Sequence, residues 1–192
     1  MSADSSLIHE TAIIDPHAQI GPNVKIGPYS VIGPDVKIGE GTIIHPHVVI
    51  TGRTTIGKGC EFFQGASIGE VPQDLKYKGE DTATIIGDHV TIRECASVHR
   101  AVGEGNETRI GNNVLMMAYT HVAHNCIVGN NVIMSNVATL AGHVIVEDRA
   151  VIGGAPVHQD WPQLHVRRHE PNQPGCTAFC HRCWQPTRRG RP

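Results

Sequence analysis

An all-β solenoid, a parallel β-helix of about seven triangular coils, is the fold this sequence predicts, on three observations. Apolar residues recur at every sixth position over most of the chain. Glycine is abundant and aromatics are scarce, 21 Gly against two Trp, three Tyr and three Phe, so the core must be aliphatic and the turns frequent. All the isoleucines precede Gly153, and the composition changes abruptly after it.

The repeat begins at Ile8 and continues through Ile14, Ile20, Ile26, Ile32, Ile38, Ile44, Ile50, Ile56, Phe62 and Ile68 without a slip. A small or β-branched residue stands two places before most of these, as Ala18, Val24, Ser30, Val36, Thr42, Val48, Thr54, Cys60 and Ala66 do. A glycine often follows, as at Gly21, Gly27, Gly33, Gly39, Gly57 and Gly69. The pattern resumes at Ile86, Ile92 and Val98, and again from Ile110 through Met116, Val122, Val128, Met134, Leu140 and Val146 to Ile152. A period of six fits neither a helix nor an alternating strand. It fits very short strands, each placing one aliphatic inward, with Gly or Asn then turning the corner at φ values other residues resist. Three hexads close one triangular coil, and equivalent residues stack into columns. A β-sandwich would need strand signals at 8–12-residue spacing and would not hold one phase so long.

Two interruptions predict loops that leave the prism, near 70–83 (E-V-P-Q-D-L-K-Y-K-G-E-D-T-A) and near 100–107 (R-A-V-G-E-G-N-E). The first crowds Gln73, Asp74, Lys76, Tyr77 and Lys78 together and is expected to carry specificity; the second is expected to be a tolerated insertion. The domain reading is therefore a β-helix over 1–155 and a tail over 156–192. The tail holds both Trp, six Arg and three of six Cys, lacks either periodicity, and is expected to be disordered.

Net charge of −2 gives no general attraction to nucleic acid. No apolar run is long enough to span a bilayer, and the start lacks a signal-like pattern, so a soluble, cytoplasmic protein is expected. Cys60 and Cys126 fall in the inward small-residue column, where a thiol acts as a small hydrophobe. In the tail, Cys176, Cys180, His181 and Cys183 resemble a zinc knot only superficially, with no paired half at a suitable spacing. No metal and no cofactor is expected.

The chain has 13 histidines. Four lie in the tail, and His9, His17, His45, His47 and His89 read as solvated or corner residues. The dense group is His99, then His121 and His124 in T-H-V-A-H-N-C, then His143 in A-G-H. His124 and His143 are separated by about one coil, so they should meet on adjacent rungs. An imidazole titrating near neutral pH suits general-base catalysis on a hydroxyl.

The runs I-G-E-V-P-Q-D-L-K-Y-K-G-E, I-G-D-H-V-T-I-R-E-C-A-S-V-H-R, H-V-A-H-N-C-I-V-G and A-T-L-A-G-H-V strongly resemble the acyl-[acyl-carrier-protein]–UDP-N-acetylglucosamine O-acyltransferase family, over about residues 5–155. Q-D-L-K-Y is the most specific element. The resemblance implies a left-handed coil, a homotrimer with sites between subunits, and the first step of lipid A biosynthesis. In that step a 3-hydroxyacyl chain passes from acyl carrier protein to the 3-hydroxyl of UDP-N-acetylglucosamine. It implies His124 as general base and the Gly142 N–H as oxyanion donor. Asp74 and Lys76 would hold the sugar, with Gln73 nearby, and His99, His121 and His143 would contact substrate. Many members carry Asp where this chain has Asn125; an amide still orients the ring but stabilises an imidazolium less. Other hexapeptide solenoids bind zinc through three histidines and hydrate carbon dioxide, but their H-x4-H spacing differs from the H-x2-H found here.

The family continues beyond G-G-A-P-V-H-Q (Gly153 to Gln159) into further hexads and a helical domain, whereas this chain passes into its Arg/Pro/Trp/Cys-rich tail. A reading-frame shift near codon 154 is one explanation, and aliphatic hexads recovered in another frame of the coding DNA would establish it. A C-terminally truncated chain is then expected to have weak or no turnover and to leave strand edges unpaired on its last rung. A non-catalytic β-helix fragment and a metal-dependent hydratase on the same scaffold are the alternative readings.

Overall fold

A computed structural model describes residues 8–154 and the backbone of 166–168. The chain winds through three flat faces in turn. Face I holds β1 (Ile13–Ile14), β4 (Val31–Ile32), β7 (Val49–Ile50), β10 (Ser67–Glu70), β13 (Ser97–His99), β16 (His121–Val122) and β19 (Thr139–Leu140). Face II holds β2 (Gln19–Ile20), β5 (Val36–Ile38), β8 (Arg53–Ile56), β11 (Ala83–Ile86), β14 (Glu107–Ile110), β17 (Ile127–Val128) and β20 (Val144–Val146). Face III holds β3 (Lys25–Ile26), β6 (Ile43–Ile44), β9 (Glu61–Phe62), β12 (Thr91–Ile92), β15 (Leu115–Met116), β18 (Ile133–Met134) and β21 (Val151–Ile152). Each of these strands pairs in parallel with its counterpart in the neighbouring coil or coils, which makes seven three-sided coils, as the hexads predict.

Register confirms the phase of the repeat. On face I the partners run Ile14↔Ile32↔Ile50↔Ile68↔Val98↔Val122↔Leu140. Strands of the inner coils bury this residue and the one two places before it, and those of the end coils only partly, so the core is a pair of stacked columns per face. Cys60 and Cys126 are buried in the second column, and burial pushes the Cys126 thiol up to about 11. Hydroxyls in that column bond to neighbouring backbone: Ser30 Oγ donates to the His45 carbonyl at 2.9 Å and Thr42 Oγ1 to that of Gly57 at 3.1 Å.

The corners are turned by Asn or Gly, as expected, and also by larger residues. The residue in the left-handed region stands three places after the inward aliphatic: Asn23, Tyr29, His47, Asn113, Asn125 and Asn131 all have φ between 57° and 60°, apart from Asn113 at 54°. The glycines immediately after the aliphatic mostly serve another purpose. A Cβ on Gly39 would lie 2.5 Å from the Gly57 carbonyl carbon, so glycine there permits close stacking of coils. Asn tolerates the left-handed region through its short polar side chain, which explains its recurrence at the corner.

The N–H two places after the aliphatic lies outside the ladder. Proline therefore fills that position at Pro16, Pro22, Pro28, Pro34 and Pro46 without losing a bond.

In the tail, β22 (Val166–Arg168) runs antiparallel to β20 and covers the face II edge of the last coil, where an unpaired edge is expected from the sequence. The rest of the tail over 156–192, including the Cys176–Cys183 cluster, lies outside the described residues.

Candidate active site

Four successive coils present their exceptional residues at one prism edge, the corner between face I and face II. The 70–83 loop leaves it between β10 and β11, and the 100–107 loop between β13 and β14. The same corner carries His124 and Asn125 between β16 and β17, then Gly142 and His143 between β19 and β20. The hexad phase alone thus brings loops and histidines to a single edge.

His124 and Gly142 occupy the corner position whose N–H the ladder does not use, so Gly142 donates no backbone hydrogen bond among the described residues. Gly142 lies against the His124 imidazole: a Cβ there would meet Cε1 at 2.4 Å and Nε2 at 2.5 Å. Glycine is what lets the ring lie over the next rung. His143 follows in the left-handed corner position, its N–H donating to the His124 carbonyl at 3.0 Å. The two rings meet edge to face with centroids 5.1 Å apart, the adjacency that their spacing predicts.

Both nitrogens of His124 have oxygen neighbours. Nδ1 is 2.9 Å from Asn125 Oδ1, and Nε2 is 3.5 Å from Asp74 Oδ2. The Asp74 carboxylate is itself held, since the Lys76 N–H donates to its Oδ1 at 2.9 Å. The 70–83 loop therefore folds back so that a carboxylate stands beside the imidazole, both partly shielded from water. Gln73 and Lys76 lie in the same loop with their side chains exposed.

His99 and His121 form a second pair on face I, with centroids 4.7 Å apart. Burial lowers the pKa of His99 against the opposing charge of Glu70. Burial, reinforced by His99 and His124, brings His121 down to about 4. His121 is therefore neutral at pH 7, and its Nδ1 lies 2.8 Å from Ser97 Oγ. Among the described residues no three His, Cys, Asp or Glu side chains converge as a metal site.

Two features of the site escape sequence reasoning. Arg100 fastens the 70–83 loop: its Nη1 donates to the Gly69 carbonyl at 3.0 Å, its Nε to Tyr77 Oη at 3.2 Å, and its guanidinium lies 5.7 Å from the Tyr77 ring centroid. Ser97 is the partner of His121, which its position directly across from His121 in the register could have revealed.

The family described as bacterial transferase hexapeptide (six repeats) matches residues 5–37, 17–52 and 107–136. The acyl-[acyl-carrier-protein]–UDP-N-acetylglucosamine O-acyltransferase of Campylobacter concisus (strain 13826) is 45% identical over 155 residues, which are 79% of this chain and 59% of that protein. The chain is a hexapeptide-repeat protein, similar over most of its length to this acyltransferase. Among solved structures of this family, LpxA from Acinetobacter baumannii is 52% identical with a TM-score of 0.74, over 77% of this chain and 58% of that one. The UDP-N-acetylglucosamine acyltransferase from Campylobacter jejuni is 43% identical with a TM-score of 0.73, over 77% and 57%. The fold is accordingly the left-handed parallel β-helix of these hexapeptide-repeat acyltransferases. The chain spans a little under three-fifths of the relatives' length. No helix among the described residues is long and apolar enough to cross a membrane.

Proposed function

We propose that this chain transfers a 3-hydroxyacyl group from acyl carrier protein to the 3-hydroxyl of UDP-N-acetylglucosamine, the first step of lipid A biosynthesis. The observation that carries the reading is the His124 imidazole lying over Gly142 with Asp74 of the extruded loop at Nε2. His124 takes the proton of the sugar hydroxyl through Nε2 as the oxygen attacks the thioester carbonyl. The tetrahedral intermediate that forms bears a negative oxygen, and the Gly142 N–H, outside the ladder, stabilises it. Collapse expels the carrier thiolate, which recovers a proton from the imidazolium. Asp74 accepts hydrogen bonds from the sugar and favours the imidazolium. Lys76 and Gln73, exposed on the same loop, contact the nucleotide-sugar, and His99, His121 and His143 line the acceptor and acyl positions.

Relatives named as acyltransferases for this sugar nucleotide, at 43–45% identity, support the substrate assignment. The protein is read as a cytoplasmic homotrimer, with each site shared between neighbouring prisms. The test incubates the chain, in excess, with UDP-N-acetylglucosamine and 3-hydroxyacylated carrier protein and identifies product by mass. An O-acylated sugar nucleotide is expected; its absence in single-turnover conditions contradicts the reading.

A further inference from the structure

The proposed chemistry leaves the 100–107 loop unused, yet its backbone hydrogen-bonds the side chain of Asn125, the residue beside the base. We propose that this loop sets the tautomer of His124: Val102 and Asn106 are positioning residues that, through Asn125, hold the imidazole proton on Nδ1 and leave Nε2 free to accept. The inference rests on the reading of His124 as the base.

The orientation of an asparagine amide is decided by its partners. At Asn125 one peptide unit decides it. The Val102 N–H donates to Asn125 Oδ1 at 2.9 Å, while Asn125 Nδ2 donates to the Val102 carbonyl at 3.1 Å. Turning the amide over would set donor against donor and acceptor against acceptor, losing both bonds. Oδ1 is thus the atom that faces His124 Nδ1, 2.9 Å away. A carbonyl oxygen only accepts, so Nδ1 must carry the hydrogen, and the lone pair lies on Nε2.

The Val102 peptide is fixed in turn. Asn106 Nδ2 donates to the same Val102 carbonyl at 2.9 Å, and the Asn106 N–H closes the turn on the Gly103 carbonyl at 3.0 Å. Gly103 has φ 88°, and a Cβ there would lie 2.7 Å from Asn106 Nδ2. From the other side, the Asn125 N–H donates to Oγ1 of the buried Thr108 at 2.9 Å. The base is therefore gripped through a chain running Asn106, Val102, Asn125, His124. A carboxylate at position 125 could not donate to the Val102 carbonyl, so asparagine at this site and the loop's conformation belong together.

The test is 15N NMR of the full chain with labelled histidine, at a pH where His124 is neutral and with its signals identified by their loss in His124→Ala. In the unmodified chain Nδ1 is expected to show the protonated shift and Nε2 the unprotonated one, with slow exchange of the Val102 amide. Asn106→Ala is expected to move the tautomer ratio toward Nε2–H by about 2–10-fold and to lower kcat by a similar factor at unchanged KM for the sugar nucleotide. Asn125→Ala should erase the preference and release the Val102 amide to fast exchange. A dominant Nε2–H form in the unmodified chain overturns the proposal, whether or not either variant folds. So does a ratio that is the same in the unmodified chain and both variants. Acyl transfer that depends on His124 but with an unchanged ratio rejects the clamp and keeps the functional reading. The expected tautomer in a chain without acyl transfer does the reverse.

Discussion

On the proposed reading of His124 as the base, Gly142 and Asn125 are the positions at which one heavy atom separates a placed imidazole from a displaced one. Gly142→Ala places a methyl group 2.4 Å from His124 Cε1, so the ring must move. Misplacing a reacting group by about 1 Å typically costs about 10²-fold, and kcat is expected to fall by about that factor with little change in thermal midpoint. Asn125→Asp sets a negative charge beside Nδ1, which favours the imidazolium. The acid limb of the pH–rate profile is expected to move to higher pH, and coincident limbs would contradict this. His121 gives a stability prediction. Its folded-state pKa, about 4, lies below the ordinary value, so the unfolded chain binds its proton first on acidification. Its contribution is full above about pH 6.5 and is lost as pH falls toward 4, so the thermal midpoint should drop over that window and drop less in His121→Gln. The meeting of His124 with His143 was legible because one coil separates them in sequence. The grip of Val102 and Asn106 was not, because it depends on how an aperiodic loop folds and leaves no mark in the hexads.

The strands are too short to specify anything individually; what positions the site is the corner at which they change face. Both insertions were legible as breaks of period, and their shared edge follows from counting hexads on either side. The second loop was expected to be a bystander and instead bonds to Asn125, a relation only three-dimensional structure supplies. Gly41, Gly59 and Gly65, three places after the aliphatic, turn the corner as the sequence predicts, whereas most glycines directly after it serve stacking. Sequence shows a glycine after the aliphatic, but close stacking and unusual φ leave the same letter, and only the backbone distinguishes them. The first loop depends on Arg100, for which Gly52 leaves room: a Cβ there would lie 2.4 Å from the guanidinium Nη1. Arg100→Ala is expected to free the 70–83 loop and to raise KM for UDP-N-acetylglucosamine about tenfold, while kcat at saturation changes less. An unchanged KM in steady-state assays would show that the loop is held by other means.

Across the whole molecule, stability is a sum over coils and the contacts between neighbouring coils, as in other solenoids. Ile92, buried on both sides in the fourth coil, should cost about 2–5 kcal/mol when replaced by alanine, measured by urea unfolding. Ile20 sits in the first coil, only partly buried, and Ile20→Ala should cost clearly less. The fold was legible almost completely, since a strict period fixes face, register and core together. The acceptor and donor of the reaction come from likeness to relatives longer than this chain, and no period encodes them. Everything converges on the imidazole at the edge between faces I and II. The most direct measurement is the rate of 3-hydroxyacyl transfer to UDP-N-acetylglucosamine by the full chain and by its His124→Ala variant, with circular dichroism showing the same β-helix in both. A loss of about 10²–10⁴-fold in the variant is the expected result; equal rates in the two proteins would contradict the account.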